Sequence, residues 1–482
     1  MVTILPELGR TFGEYSLLTG YTDENCKIPN ISLETKLSDT LCLKIPLLSA
    51  AMTSVTGLEM ALALGKEGGL GILPLKLPIE EQAEFVKRIK NYEMGFVEVP
   101  VSVYETATIE EVLREIEKHG HSRIPVVNRN NVFKGMFDKE YYWTQKDAPM
   151  NGKVTSAMVP FDNSHRIPYC NKPGIDVNEA KRLLEANGEK YLVVLDEQDR
   201  LVKLAFKKDV EKVKVGAAIS THEDWLERSQ ANIEAGVDLI VIDTSDGYSA
   251  FTENVIRLYK KEKFDVPLCA GNIITYEGAK FLMEAGADIL KVGMSSGSIC
   301  ITQQEKAVGR GPMTALIEVD RARNDYRQKT NKYIPLIIDG GIARSAQMIV
   351  ALTMADAIMM GGYFNRFYEA AGDKLDKSGK PTTIDDEIVE VSTWGEGSLR
   401  AKNLDRYGHS KRTFFAEGVE AKVPYLGRLK PNLKMDLLKI SAALSNAGCR
   451  NLNEFRERAV LELNSQPTSM IVSNVHDVKT DS

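Results

Sequence analysis

The sequence lacks any unbroken apolar run of the roughly 18 residues that a membrane-spanning helix needs. Its opening, MVTILPELGRTFGEYS, lacks the basic-then-apolar pattern of a secretion leader, so none is expected. It has no CxxC pair. Cys26, Cys42, Cys170, Cys269, Cys300 and Cys449 are scattered, which argues against a disulfide framework or a zinc site and points to a reducing cytoplasm. His119 and His121 are close in sequence, but they fall at a helix end and read as a solvated turn, not a metal pair. There is no excess of positive charge. The net charge is −6 with the signs well mixed, which argues against a general nucleic-acid binder. No GxGxxG follows an early strand, which weighs against a doubly wound open sheet.

What is present is ample core. Hydrophobic residues make up 43% of the 482 and charged residues 27%, a globular balance in a chain long enough for more than one domain. Short apolar runs at 44–51, 68–74, 213–219, 238–244, 267–273, 288–294, 335–342 and 356–362 end in Gly, Ser, Asp or Asn. Amphipathic stretches such as TYEGAKFLMEAGAD lie between them. Strands that are apolar throughout predict a parallel sheet covered on both faces. Eight of them predict an α/β fold, a (β/α)8 TIM barrel, with active groups at the C-terminal strand ends. The open sheet is the alternative. Cys42 and Cys269 lie inside apolar runs and read as core packing.

The second and third runs are too far apart for one connection. That gap holds an internal repeat: TIEEVLREIEKHGHSRIPVVNRNNVFKGMF (108–137) matches DVNEAKRLLEANGEKYLVVLDEQDRLVKLAF (176–206), with equivalent strands beginning 68 residues apart, at Ile124 and Leu192. Each copy reads as helix, strand, polar turn, strand. The pair resembles tandem CBS domains, which implies adenine-nucleotide binding and regulation. A module used only for packing or assembly stays open. The expected division is 1–94 and 213–482 for the barrel and 95–212 for the CBS pair. Residues 370–430 are polar and charged, and predict a mobile flap rather than core. LKMDLLKISAALSNAG predicts a helix packed on the barrel, and the last dozen residues a tail that is mobile or reaches a neighbouring subunit.

The strand ends carry the chemistry. Asp339-Gly340-Gly341 and Gly361-Gly362 end the seventh and eighth runs, where barrels commonly cradle a phosphate on backbone N–H groups. Cys300 ends the sixth, in KVGMSSGSICIT (291–302). Loop N–H groups and a following helix start can stabilise a thiolate there, making it a candidate nucleophile; a small packing residue is the other reading. IDTSDGYS offers Asp243, Thr244, Ser245 and Asp246, AGN offers Asn272, and AAISTHED offers His222.

Together PLLSAAMTSVTG (46–57), EGGLGI (67–72), IDTSDG (242–247), AGNI (270–273), KVGMSSGSICIT, IIDGGI (337–342), IMMGG (358–362), WGEGS (394–398) and EGVEAKVPYLG (417–427) resemble the inosine-5′-monophosphate dehydrogenase family. The resemblance implies NAD-dependent oxidation of IMP to xanthosine monophosphate, in guanine nucleotide synthesis, in a cytoplasmic homotetramer. By the resemblance, Cys300 attacks C2 of the hypoxanthine ring, hydride leaves for NAD⁺, and a thioimidate remains. Thr302 lies near the attacking water. Ser298, Gly341, Gly361 and Gly362 hold the phosphate and Asp339 the ribose. Met52, Glu396 and Glu417 complete the substrate side, with Glu417 linked to proton relay. Asp243, Thr244, Asn272 and Gly293 serve the nicotinamide side, and His222 and Phe251 flank the adenine. Arg406 and Tyr407 match the flap pair that activates water once NADH has left; Arg406 alone reads equally as a solvated lid charge.

Backbone carbonyls of Ser295, Gly297 and Cys300 match the family's K⁺ site. Ser295 stands where glycine is common and gives up its φ freedom, and the tail reads IVSNVHD, so K⁺ dependence is in question. Thr393 stands where a phosphate-binding tyrosine is often found, and Gly309-Arg-Gly-Pro312 also departs from the common pattern. Two alternatives remain: a GMP reductase using NADPH, against which the Arg-Tyr flap weighs, and a non-catalytic CBS nucleotide sensor.

Overall fold

In the computed structural model the described residues are all except 1, 93–94, 98–99, 120–121, 146–147, 163–166, 187, 189, 207–211, 404–414 and 466–482. The chain divides into two compact units, 1–90 with 214–482, and 91–213. In the first, eight parallel strands close into a barrel: β1 (Leu47–Ser49), β2 (Leu70–Leu73), β3 (Val215–Ile219), β4 (Leu239–Asp243), β5 (Leu268–Ile273), β6 (Ile289–Val292), β7 (Leu336–Asp339) and β8 (Ala357–Met360). Met359 of β8 pairs with Leu48 of β1, which closes the ring and removes the open-sheet alternative. All eight expected strands form.

The apolar runs form strands because both faces are buried. Helices cover the outside, and the inside is filled by Leu48, Leu70, Ile72, Leu239, Val241, Cys269, Ile289, Ile337 and Met359. Each large side chain sealed this way stabilises the fold by about 1.5–3 kcal/mol. Strand side chains alternate between faces, so the interior sequence continues two residues later. Val241 is followed on that face by Asp243, Ile289 by Lys291, and Ile337 by Asp339. An apolar layer therefore gives way to a polar one at the C-terminal end of the barrel.

The connections into the helices are conventional. Ser249 caps the helix Ala250–Lys261 by accepting from Thr252 N–H, and Thr275 caps Tyr276–Ala285 by accepting from Gly278 N–H. The expected C-terminal helix runs over Leu429–Asn446 and buries Leu429, Leu433, Ile440 and Leu444. The tail beyond 465 lies outside the described residues.

The second unit contains two four-stranded sheets. One is built from Val103–Tyr104, Arg123–Val127, Phe133–Asp138 and Val159–Pro160; the other from Phe96–Val97, Tyr169–Cys170, Tyr191–Leu195 and Leu201–Phe206. Each copy of the repeat supplies a helix, Ile109–His119 or Val177–Ala186, and a hairpin. The hairpin turns repeat the same strain: Asn131 and Asp199 both take positive φ, 60° and 56°.

Two readings need correction. Residues 370–430, expected to be flap throughout, include a three-stranded antiparallel sheet of Lys374–Leu375, Glu390–Trp394 and Glu420–Pro424. Val391 and Trp394 are buried from an otherwise polar strand, and a local pattern of that length is easily masked by the charges around it. Cys42 is not core. It is half-buried on the two-residue strand Cys42–Leu43, with its thiol against Glu34 Oε1 at 3.1 Å. Cys269 is fully buried as expected.

Replacing Ile337 by Ala removes a side chain that is 0% exposed inside the barrel. The expected loss is about 3 kcal/mol, read as a lower urea midpoint for the barrel transition. An unchanged midpoint would contradict the packing described.

Candidate active site

The C-terminal mouth of the barrel opens into a cavity of about 870 Å³. Its wall brings together Met52, Asp243, Thr244, Asn272, Gly293, Ser295, Gly297, Ser298, Cys300, Thr302, Asp339, Gly341, Gly361, Gly362, Glu396 and Glu417. They come from six strand ends and from the excursion after β8, far apart in sequence. His222 and Phe251 are not among the lining residues. His222 is exposed on the loop after β3, and Phe251 is 74% exposed in the first turn of its helix. Arg406 and Tyr407 lie outside the described residues.

Cys300 is half-buried at the end of the loop that follows β6. Its N–H donates to Gly297 O at 3.1 Å, closing a tight turn. Its backbone pairs with Gly418, flanked by Ile301 N–H to Glu417 O at 3.0 Å and Val419 N–H to Ile299 O at 3.1 Å. The thiol lies 3.2 Å from Thr302 Oγ1. Thr302 Oγ1 in turn donates toward Glu417 Oε2 at 3.5 Å, and Lys306 Nζ donates to the same oxygen at 3.2 Å. A thiol, a hydroxyl and a carboxylate thus follow one another along one wall, an arrangement able to move a proton away from a group bound at sulfur.

Another part of the wall is glycine-rich. A Cβ at Gly361 would meet Met52 Sδ at 2.8 Å, and one at Gly362 would meet Ser298 Oγ at 3.0 Å. Only backbone therefore faces the cavity at these positions, as a close-fitting anion requires. Gly293, at φ 128°, could not carry a side chain at all, because its Cβ would fall 2.3 Å from Asp339 O.

The polar layer under the mouth centres on Lys291, 1% exposed. Its Nζ lies 2.7 Å from Asp243 Oδ1 and 3.1 Å from Asp339 Oδ2, and it donates also to Asn272 Oδ1. Asn272 Nδ2 donates to Gly293 O at 2.7 Å and to Asp339 Oδ2 at 3.0 Å. Burial alone depresses the lysine's pKa; the two carboxylates outweigh it and hold the ammonium above its ordinary value.

Glu396 lines the cavity with its carboxylate already engaged. Thr53 N–H and Oγ1 donate to one oxygen at 2.6 and 2.8 Å, and Lys76 Nζ sits 3.1 Å from the other. Ser295 holds the left-handed conformation, φ 60°, that its expected loss of glycine freedom argued against. Its Oγ donates to Val308 O at 2.7 Å, which helps hold the residue there. Thr393 is buried and accepts from Asn365 Nδ2, and it is not among the residues lining the cavity. A cation that does line the wall is Arg366, whose Nε is buried without an acceptor among the described residues.

Lys76, Lys291 and Arg366 were not singled out from the sequence. For Lys291 a signal existed: a lysine in phase with Ile289 within a run otherwise apolar on both faces. Lys76 and Arg366 stand outside the strands, where a charge carries no such contrast. Among the described residues no group of three or more His, Cys, Asp or Glu side chains could hold a metal ion.

A family model for the IMP dehydrogenase / GMP reductase domain matches residues 9–476. The inosine-5′-monophosphate dehydrogenase of Tritrichomonas foetus is 35% identical over 501 aligned residues, covering 97% of this chain and 96% of that one. The enzyme of the same name from Aquifex aeolicus is 32% identical, covering 98% and 96%. A crystal structure of a cysteine-to-alanine variant of Trypanosoma brucei GMP reductase, in complex with guanosine 5′-monophosphate, superposes with a TM-score of 0.69 at 24% identity and 98% coverage of both chains, a likeness of fold. With the closed barrel, the glycine-rich cavity and the thiol at the end of its sixth strand, these likenesses make the chain a member of the IMP dehydrogenase / GMP reductase family.

Proposed function

We propose that the chain oxidises IMP to xanthosine monophosphate with NAD⁺, a step of guanine nucleotide synthesis. The observation that carries this reading is the Cys300 sulfur at the cavity wall, with Thr302 Oγ1 at 3.2 Å and Glu417 behind it. Its curated relatives carry the matching name over nearly their whole length.

The geometry supports a covalent route. IMP lies with its phosphate against Ser298, Gly341, Gly361 and Gly362, where backbone N–H groups and the absence of side chains admit the oxygens. Asp339 accepts from the ribose hydroxyls. The purine then reaches the Cys300 wall, bounded by Met52 and Glu417. The Cys300 thiolate adds to C2, forming a C–S bond and placing the electron pair on the ring. The hydride at C2 leaves for the acceptor that NAD⁺ supplies when bound. Asp243, Thr244, Asn272 and Gly293 would hold its nicotinamide end, and their mixture of donors and acceptors fits an amide. Water then adds at C2 and the sulfur leaves as thiolate. The proton released by water passes through Thr302 to Glu417, while Arg406 and Tyr407 activate the water from the flap.

His222 and Phe251 would flank the adenine. K⁺ would be held by the carbonyls of Ser295, Gly297 and Cys300, and the left-handed Ser295 supports that loop path. The repeat in the second unit is taken as a CBS pair that binds an adenine nucleotide. The functional assembly is taken as a homotetramer working in the cytoplasm. No described helix is long and apolar enough to cross a membrane. The alternative within the family, reductive deamination of GMP with NADPH, is disfavoured by the Arg406-Tyr407 pair. NADH formation from IMP supports the oxidation. NADPH consumption with GMP and none with IMP would reassign the chain.

Cys300→Ala should lower turnover by at least about 10³-fold and leave IMP binding, measured calorimetrically, within about threefold. Mass spectrometry of the native protein after IMP and NAD⁺ should find a purine adduct on Cys300. Arg406→Ala should slow hydrolysis more than hydride transfer, so that the burst of NADH persists while the adduct accumulates. Equal slowing of both steps would remove the flap residue from the hydrolytic role.

A further inference from the structure

Lys291 is not among the residues that line the cavity. It is 1% exposed and reaches the mouth from below. Moving an ammonium out of water costs several kcal/mol unless partners offset it. Here the partners are Asp243 from β4, Asn272 from β5 and Asp339 from β7, all joined to one nitrogen. The strand alignment makes this possible. Asp243 pairs with Gly271, and Gly271 with Lys291. A Cβ at Gly271 would lie 2.7 Å from Lys291 Cβ, so the glycine leaves room for the lysine stem between the strands. Gly271 and Lys291 form one device: a gap and the side chain that fills it.

We propose that Lys291 is a positioning residue that holds the ribose-binding Asp339 and the nicotinamide-side Asp243 and Asn272 in one rigid unit, so that substrate and cofactor are aligned by the same buried charge. This rests on the assignment of the cavity to IMP and NAD⁺. The charge matters as well as the shape. Asp243 and Asp339 line the cavity, and both lean on one ammonium that is itself closed to water. With the ammonium gone, two carboxylates would face the gap it leaves, and each would disfavour ionisation of the other. Among the described residues, the other titratable group beside the centre is Cys269 beneath it, which is buried, its thiol pushed up to about 12 by burial. The carboxylates, not the thiol, therefore respond to loss of the lysine.

The test compares Lys291→Gln and Lys291→Arg in the full-length enzyme, with kcat and both KM values measured from about pH 5.5 to about 9. The glutamine variant should lose about 100-fold in kcat/KM at neutral pH, with KM for IMP and for NAD⁺ rising together. Raised carboxylate pKa values mean that a higher pH is needed to ionise them, so the acid limb of its profile should move up by about one unit or more. The arginine variant keeps the charge but not the shape. It should keep the acid limb of the native enzyme while both KM values rise about tenfold. If the glutamine variant does not fold, the arginine variant decides: native KM for either ligand overturns the proposal. Where both variants fold, an unmoved acid limb in Lys291→Gln, or a KM change confined to one ligand, overturns it. A native enzyme that binds no IMP would instead remove the underlying assignment, before either variant is compared.

Discussion

The candidate nucleophile is held by a backbone clasp between two loops that the chain reaches more than a hundred residues apart. Ile299, Cys300 and Ile301 run antiparallel to Glu417, Gly418 and Val419, with hydrogen bonds at 3.0 and 3.1 Å on either side of the sulfur-bearing residue. The clasp closes because of glycine. A Cβ at Gly395 or at Gly418 would stand 3.2 Å from the Cα of the other, tighter than an ordinary contact, so a side chain at either position would have to shift the facing backbone. The strands Glu390–Trp394 and Glu420–Pro424 pair in register immediately beside it. Hence the sheet in the excursion after β8 is not decoration on a lid. It fixes the height of Cys300 above the barrel and delivers Glu417 to Thr302 in the same stroke.

The rest of the site follows from strand periodicity. Residues two apart share a face, so the interior layer Val241, Ile289 and Ile337 is succeeded by Asp243, Lys291 and Asp339. The apolar layer is fully buried, and the low polarity it provides strengthens the charge pairing directly above it. The polar layer faces the cavity and is anchored from below, so its groups need little reorganisation when a ligand arrives. Preorganisation of this kind is what a hydride transfer between two bound molecules requires, because the cost of alignment is met when the protein folds.

Much of this was legible in the sequence, for identifiable reasons. The eight barrel strands carry apolar residues on both faces, and a run such as DLIVIDT announces itself without knowledge of its partners. The repeat at 108–137 and 176–206 was visible because each copy carries its own helix, polar turn and strand pattern; the structure adds that Asn131 and Asp199 in the two turns are both left-handed. The strand-end residues were legible because barrels place polar groups there. What escaped is what depends on contacts between distant segments. The strand Glu390–Trp394 buries only some of its residues amid charged sequence, and its partner lies beyond a long excursion. Glu396 reads as a free carboxylate until Thr53 and Lys76 are found around it. Ser295 reads as a lost glycine until its hydroxyl is seen bonded to Val308 O.

The six cysteines show why one position suits a nucleophile. Cys269, two residues before Gly271 on β5, packs inside the barrel beside the same polar layer, yet it is 0% exposed and its thiol is pushed up to about 12 by burial. It can neither ionise readily nor meet a ligand. Cys449 is equally sealed, and its thiol and that of Cys170 are both raised by burial. Cys42 lies outside the barrel, its thiol donating to Glu34 Oε1 at 3.1 Å. Cys300 alone among the six lines the cavity, with a hydroxyl at hydrogen-bonding distance and its backbone held on both sides. Access and restraint, which the other five lack in combination, select it.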